Sequence, residues 1–546
     1  MNRAAGEVSG TKALGTKTLG TKTLDTKALV TKAPVSKANL MALVAVLAAT
    51  TACTPERFRP GPIDLSSLMP ARAKANGAEG TQTRPAARES GERFAKASEP
   101  APELRGALSM QAVVRSVTER YPPYLSALLE RDLASGRLQQ AMGSFDTRIS
   151  AKIGGRMQGF YESSIAQGML EQPLATGDTI YGGYRVSDGF LPDYYQDRTQ
   201  DNGEFVFGGS FPLLRNRSID KRRASVRKAE IDVELAEPKI LAARIEYVRR
   251  ATAGYFKWLA AGQKLNIARQ LFQLAADRQA GLTSAVERQF LAPIALKDNE
   301  RLIAKRRIYI ARAARNFQQA SLALSLYLRD NEDRPIVATE ENLPATAGEL
   351  PRTQSRLDDD ILVAARQRPD LRNLMLRIAK AETERDLAEN QVMPEVNLVV
   401  EAASSLSNGP YKDREDLELF IGGELKLPLQ RRGARGKLQQ ATAALSRLMI
   451  EQRYTRDRII NQIQDTRSAL QAVSNQLEDT KRNVTLADEL VTAEQRAFDL
   501  GRSDLLRVQL REVQLADARV MAIEARMAYQ MAHADYRAAL GFADTK

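Results

Sequence analysis

The 546-residue sequence holds one cysteine, one histidine and one tryptophan. A single cysteine excludes an intrachain disulfide and a Cys/His metal cluster. The one histidine, His533, lies in a helical stretch, YQMAHADYRAAL. Its plain reading is a helix-surface or seam residue, because a catalytic base needs a third group to hold it. No nucleophile–base pair or metal spacing stands out, so neither an enzyme nor a cofactor is expected. No apolar run approaches the roughly 18 residues of a transmembrane helix, so any membrane crossing must use strands. A basic stripe is also missing. The formal charge is +13, but seven basic and two acidic groups precede Cys53, leaving +8 for a remainder in which Lys and Arg alternate with Glu and Asp. Nucleic-acid binding calls for a clustered basic face and is not expected.

What is present is a duplication. Glu204–Arg217 reads EFVFGGSFPLLRNR and Asp416–Arg432 reads DLELFIGGELKLPLQRR, and each runs into a long polar helix. Each is preceded by a helix and a further alternating strand, Asp146–Ile153 and Glu395–Ala402. The unit of strand, strand, very long helix and return helix therefore occurs twice. Two interleaved copies make one body, which overrides a domain count taken from length.

The strands have one apolar and one polar face. Ile149, Ala151 and Ile153 alternate with Arg148, Ser150 and Lys152; Phe205, Phe207 and Phe211 oppose Gly208 and Ser210. Val396, Leu398, Val400 and Ala402 alternate with Asn397, Val399 and Glu401, and Leu417, Leu419, Ile421, Leu425 and Leu427 with Glu418, Glu424 and Lys426. This fits either an open sheet on a helical core or a barrel wall around a wet lumen. Open edges are not tolerated in lipid, so membrane-borne strands this few must share a barrel with other copies. Three copies of four strands would give twelve. A soluble four-stranded sheet packed on helices explains the alternation equally well. Two long connections remain: Ser404–Glu415, with Asn408, Gly409 and Pro410, and Arg156–Gly203, rich in Gly and Tyr (Tyr161, Tyr181, Tyr184, Tyr194, Tyr195). The second is expected as an outward-facing surface loop.

After each second strand comes a helix of unusual length, about Ser218–Leu291 and about Ala434–Leu500, each reaching roughly 100 Å at 1.5 Å per residue. In the latter, Ile459, Ile463, Thr466, Leu470, Val473, Leu477, Thr480 and Val484 make a coiled-coil seam. The return helix, about Ser503–Leu540, has two: Leu506, Leu510, Val513, Val520, Met527 and Met531, and Val508, Leu515, Ala522, Tyr529 and Tyr536. Two seams imply a neighbour on each side, as in a ring of helices. The hairpin tips match as well. Ala285, Arg288, Phe290 and Pro293 correspond to Ala493, Arg496, Phe498 and Gly501 at a constant shift of 208.

Upstream, Asn39–Ala52 (NLMALVAVLAATTA) has the layout of a secretory signal, with basic residues before it and small residues before Cys53. The pattern is similar to a bacterial lipoprotein signal, in which the Cys becomes the lipidated first residue, although Thr50 stands where such signals usually carry Leu. An unmodified thiol in a cleaved leader is the other reading. GTKAL, GTKTL, GTKTL, DTKAL and VTKAP repeat every five residues before it. From Thr54 to about Arg105 the chain turns to Pro, Ala, Arg, Glu, Ser and Gly without an apolar period, the composition of a tether.

From about Leu108 to Gly541 the chain resembles the TolC family of outer-membrane efflux channels. The carrying features are the duplicated GG strand with its Pro and basic turn (Gly208, Gly209, Pro212; Gly422, Gly423, Pro428), the tips at Arg288 and Arg496, and RPDL at Arg368–Leu371. The resemblance implies a mainly α fold with a transmembrane β portion: a homotrimer with a twelve-stranded barrel in the outer membrane and a twelve-helix periplasmic tunnel. It implies an exit duct without catalysis or cofactor, working with a periplasmic adaptor protein and an inner-membrane pump. The expected divisions are residues 1–52 leader, 53–105 tether after lipidation of Cys53, 106–329 first repeat, 330–354 linker belting the tunnel's waist, and 355–541 second repeat. The tips Leu291, Ala292, Pro293, Ile294, Leu500, Gly501, Arg502 and Ser503 would dock the adaptor. Relatives narrow their entrance with acidic residues after the second tip, and alignment on Gly501 puts Arg507 and Leu510 there. Three Arg507 side chains would form a positive ring, blunted by Asp504 one turn earlier and partly restored by Arg511. A periplasmic adaptor or a coiled-coil structural lipoprotein of the envelope is the alternative reading, but an adaptor would have one helical hairpin and this chain has two.

Overall fold

The computed structural model describes residues 106–191, 198–345, 350–351, 355–407 and 417–544. The leader, Cys53, the tether, Tyr194, Tyr195 and the Asn408–Pro410 turn lie outside these residues. The chain begins with α1 (Met110–Arg120), α2 (Pro122–Leu128) and α3 (Glu130–Met142), then strands β1 (Arg148–Arg156), β2 (Ser163–Pro173), β3 (Thr179–Gly189) and β4 (Glu204–Pro212). The first long helix is α4 (Lys221–Glu287), returning as α5 (Ile294–Ser325). The second copy runs α6 (Leu357–Gln367), α7 (Pro369–Asn390), β5 (Glu395–Ser405), β6 (Leu417–Lys426), α8 (Arg432–Asp499) and α9 (Leu505–Leu540). No helix among the described residues is long and apolar enough to cross a membrane.

The long helices start where the chemistry allows. The Asp220 carboxylate accepts from the Arg222 and Arg223 N–H groups at 2.7 and 2.9 Å, capping donors that would otherwise be orphaned. α4 spans 67 residues and α8 spans 68, each about 100 Å. α4 continues through Pro238, which is buried. Near the sheet, α4 lies against α3 and α7, with ion pairs Arg131–Glu237 at 2.5 Å and Lys380–Asp232 at 2.6 Å. Further along it lies between α5 and α9, where Lys264 meets Glu524 at 2.5 Å. α8 passes α7 and then α9 in the same way. Each level therefore has a row of four helices, α3–α4–α7–α8 and then α5–α4–α9–α8.

Two apolar cores sit at the waist, one per copy. Val113 and Val117 of α1 pack with Val248, Tyr255, Trp258 and Leu265 of α4, and with Leu328, Ile336 and Ala338 of the segment after α5. In the second copy Ile459, Ile463, Leu470 and Leu477 of α8 meet Tyr529 and Tyr536 of α9 and Ala364 of α6. Of the α8 seam, Ile459, Ile463, Leu470 and Leu477 are thus buried and Thr466, Val473, Thr480 and Val484 half-buried, on the one face that the four–three spacing requires. Of the two α9 seams one is buried at Val508, Leu515, Tyr529 and Tyr536, while the other is half-buried at Val520, Met527 and Met531 and bare only towards the tip, where Leu506 is 73% and Leu510 54% exposed. The RPDL corner has a physical reason. Arg368 holds Asp370 at 2.9 Å and donates to the Ala539 carbonyl at 3.0 Å, tying the α6–α7 joint to the end of α9. Gly541, at φ +92, passes so near Gln367 that a Cβ there would lie 2.8 Å from its backbone.

The sheet corrects the sequence reading. It has six strands in the order β1-β2-β3-β4-β5-β6, all neighbours antiparallel. Within the Gly- and Tyr-rich segment 156–203, expected as a surface loop, residues 163–189 fold instead as the hairpin β2–β3 inserted between the two strands of the first copy. The plan of four strands per chain, and with it twelve from three copies, does not hold for this sheet. β4 pairs with β5 from Glu204↔Ser405 to Pro212↔Asn397, which joins the two copies.

Candidate functional site

The faces of the sheet follow from the register. Phe205, Phe207 and Phe211 of β4 share a face with Val396, Leu398 and Val400 of β5 and with Leu419, Ile421 and Leu425 of β6, and Ile149, Ala151 and Ile153 of β1 fall on the same side. The opposite face carries the charge. There Arg185 pairs with Glu204 and reaches Glu401 at 3.7 Å, the Tyr181 hydroxyl donates to Glu401 at 2.8 Å, and Lys426 meets Glu424 at 2.5 Å. One side is fit for lipid and the other for water. The end strands β1 and β6 have no partner beyond them among the described residues, and every β1 residue is exposed.

At the opposite end are two helical hairpin tips. The α8–α9 tip closes on Gly501 at φ +68, with Arg502 N–H donating to the Ala497 carbonyl at 2.7 Å, the geometry of a glycine C-cap. In the α4–α5 tip the left-handed residue is Gln289, at φ +62. So Pro293 and Gly501, paired by the shift of 208, do different work. Gly501 ends one helix, while Pro293 is the N-cap residue of the next. The structural partner of Gly501 is Gln289, and the shared A-x-x-R-x-F motif sits one turn earlier relative to the second cap than to the first. Both tips present apolar surface: Phe290 is 78%, Ile294 65% and Leu500 69% exposed. Leu291, Ala292, Pro293, Gly501 and Arg502 are exposed beside them, and Ser503 is half-buried, donating to Glu494.

Asp504 caps α9, accepting from the Arg507 N–H at 2.9 Å, and its second oxygen meets the Arg507 guanidinium at 3.3 Å. The expected pairing is present, on exposed side chains. Arg511 turns away to Glu494, at 3.7 Å, and donates to Gln514 at 3.1 Å. Sequence reasoning missed the charged cluster one turn further on. Glu512 is buried between Arg278 of α4 and Arg306 of α5, the latter 3.4 Å away and only 3% exposed. Burial pulls the Arg306 guanidinium below its ordinary pKa while Glu512 acts to raise it. Arg306 also donates to the Leu271 carbonyl. The signal was present: Glu512 sits between Val508 and Leu515 on a seam otherwise apolar. His533 is buried on α9, as a seam residue, and burial together with Arg537 pushes its pKa down to about 4. No cluster of His, Cys, Asp and Glu able to hold a metal occurs among the described residues.

Residues 361–542 match the model of the outer membrane efflux protein family. No curated protein sequence matches the chain significantly. Among solved structures, the fold is similar to the open-state MtrE outer membrane channel of Neisseria gonorrhoeae (17% identity, TM-score 0.57, covering 80% of this chain and 90% of that one). The CmeC outer membrane channel of Campylobacter jejuni is 14% identical (TM-score 0.56; 87% and 94% covered). The outer membrane protein VceC of Vibrio cholerae is 16% identical (TM-score 0.54; 79% and 96% covered).

Proposed function

We propose that this chain, recognised as a TolC-like outer membrane efflux protein, is the passive exit duct of a tripartite efflux or type I secretion machine. The observation that carries the reading is the sheet with one apolar and one charged face, bare at both edges among the described residues and continuous with helices of about 100 Å. Unsatisfied edge groups cost several kcal/mol each in lipid, so the edges must find partners. Three copies, β1 of one against β6 of the next, close the sheet, and their rows of four helices close into a twelve-helix tunnel below it. The barrel lies in the outer membrane and the tunnel in the periplasm. The charged sheet face lines water. No step is catalysed, and energy comes from an inner-membrane pump reached through a periplasmic adaptor.

The adaptor docks on the exposed apolar residues at the tips, Leu291–Ile294 and Leu500–Ser503. Gly501 is a poor place to test this, because its positive φ makes any replacement change the turn as well. Leu500→Glu is cleaner: it should abolish export while trimers persist, and normal export would refute docking there. Arg507 rings the entrance, partly neutralised by Asp504, and gives a weak anion preference. Cys53 carries the lipid. Fatty-acid labelling should mark the native chain but not Cys53→Ser, and equal labelling would remove the anchor. The duct reading is tested by solubilising outer membranes in detergent. A heat-modifiable trimer band is expected, whereas a chain recovered only from the soluble periplasmic fraction would overturn it.

A further inference from the structure

The inserted hairpin is built as wall, not as a flap over the pore. Its strands pair along their whole length: β1 with β2 from Arg148↔Glu171 to Arg156↔Ser163, β2 with β3 from Pro173↔Thr179 to Ser163↔Gly189, and β3 with β4 from Thr179↔Ser210 to Arg185↔Glu204. All six strands therefore stand at one level. β2 and β3 each have 11 residues, within the roughly 9–11 that a tilted strand needs to cross a bilayer. A loop lying over the mouth has no reason to descend that far.

Side chains sort by face in the hairpin as in the other strands. Ala166, Leu170, Ile180, Tyr184 and Val186 fall on the apolar side, with Asp188 at its outer end. Glu171, Gln167 and Arg185 fall on the charged side, together with Ile165 and Met169. Arg185 and Tyr181 are the groups that bind Glu204 and Glu401 across β4 and β5, so the network on the wet face includes the insertion. Two aromatic-over-glycine pairs fix β3 on β4. Tyr181 covers Gly208, where a Cβ would lie 2.5 Å from its ring, and Phe207 covers Gly182, where the gap would be 2.8 Å. These pairs lie directly opposite each other, on alternate faces.

The inner turn is pinned where the other strands meet their helices. Gly177, at φ +97, is so near the Asn216 carbonyl that a Cβ would come within 2.9 Å, and Asp178 meets Arg217 at 3.5 Å. Gln172 donates to the Phe145 carbonyl at 2.7 Å on the β1 side. At the outer end Phe160 meets Tyr161 and Phe190 edge-on while those two rings stack, and Phe160 is 79% exposed; aromatic residues gather in this way at a membrane–water boundary.

We infer that β2 and β3 are pore-wall strands, so that three chains close an eighteen-stranded barrel, and not a twelve-stranded one with loops above it. This rests on the trimeric duct reading. Barrel diameter grows roughly in proportion to strand number, so the outer pore is about one and a half times as wide as a twelve-stranded one. Barrels of 16–18 strands hold an aqueous channel. The outer membrane section is then a wide vestibule, and restriction of solutes falls to the helical tips.

The test is site-directed spin labelling of the full chain in phosphatidylcholine vesicles, with the signal of the unsubstituted chain subtracted. Single cysteines are placed at Ile165, Ala166, Gln167 and Leu170 in β2, and at Asn397, Leu398, Val399 and Val400 in β5. Accessibility to oxygen, which concentrates in lipid, is compared with that to a water-soluble nickel chelate. The inference predicts alternation in both strands, with Ala166, Leu170, Leu398 and Val400 oxygen-accessible and the others nickel-accessible. Alternation in β5 with uniform nickel access in β2 would make the hairpin an extramembrane loop, overturning this inference and leaving the duct intact. Absence of alternation in β5 itself would overturn the membrane-barrel reading and this inference with it. A trimer band from each variant establishes that the label has not unfolded the chain.

Discussion

The two copies agree in their helices and part company at their ends. α4 and α8 differ by one residue in length, because both cross the same layers of neighbours and a shorter helix would leave a gap in the row. The sheet portions differ by a whole hairpin: four strands in the first copy, two in the second. An antiparallel meander accepts two more strands without disturbing its neighbours, because each strand needs only a partner on either side. A helix row confined by packing on both flanks has no such freedom. The ties between the copies are also unequal. Glu512 of α9 is buried against Arg278 and Arg306 of the other copy, while Arg301, at a similar distance into α5, is exposed and among the described residues meets only Asp298 of its own helix, at 4.0 Å.

That inequality is the easiest to break. Glu512→Ala leaves two guanidinium groups, one of them deeply buried, without their carboxylate, and should cost about 3–5 kcal/mol. Arg301→Ala should change stability by less than about 0.5 kcal/mol. Denaturant unfolding of the purified protein measures both, and equal effects would mean that the buried cluster is not a tie. A middle-sized effect is expected from His533, whose pKa is pushed down to about 4 from an ordinary value of 6.5. The folded state holds it neutral, so the unfolded chain takes the proton first. Stability is unaffected above pH 6.5, declines as pH falls towards 4, and levels off below, for a total on the order of 3 kcal/mol. His533→Gln should flatten that limb of the pH–stability curve; an unchanged curve would remove the assignment.

The tips give a smaller contrast. Gln289→Gly should stabilise by up to about 1 kcal/mol, since glycine adopts positive φ without a Cβ penalty, and Gly501→Val should destabilise by about 1–2 kcal/mol. Thermal melts read the two with opposite signs. Smallest of all is Arg507→Ala. The exposed pair with Asp504 is worth at most about 1 kcal/mol, so stability should hardly move. Its effect should appear as a shift of reversal potential towards cations in a planar bilayer under a salt gradient.

Much of this was legible in the chain because periodicity survives translation into structure. The α8 seam from Ile459 to Leu477 is buried or half-buried throughout, the two-faced alternation of β5 and β6 holds, and the TolC-family resemblance is borne out. β2 was not legible, because SSIAQGMLEQP has small and mixed residues on both faces and takes its strand character from neighbours on either side. The clue lay in β3, where YGGY repeats the aromatic–Gly–Gly pattern of FGGS in β4. At the tips, the motif shift of 208 aligned Pro293 with Gly501, but backbone conformation pairs Gln289 with Gly501, one turn away. The Asp504–Arg507 pair follows from helix spacing, whereas the capture of Arg511 by Glu494 depends on how two helices cross and has no local signature.

The central claim is that three copies close the sheet by joining β1 of one chain to β6 of the next. Cysteines at Lys152 and Phe420, both on the charged face of those edge strands, can be linked by a flexible bis-maleimide in native membranes. The account predicts a denaturing-gel ladder that stops at three chains, with either single-cysteine variant stopping at two or fewer. A ladder continuing beyond three, or single chains alone at full labelling, would contradict it.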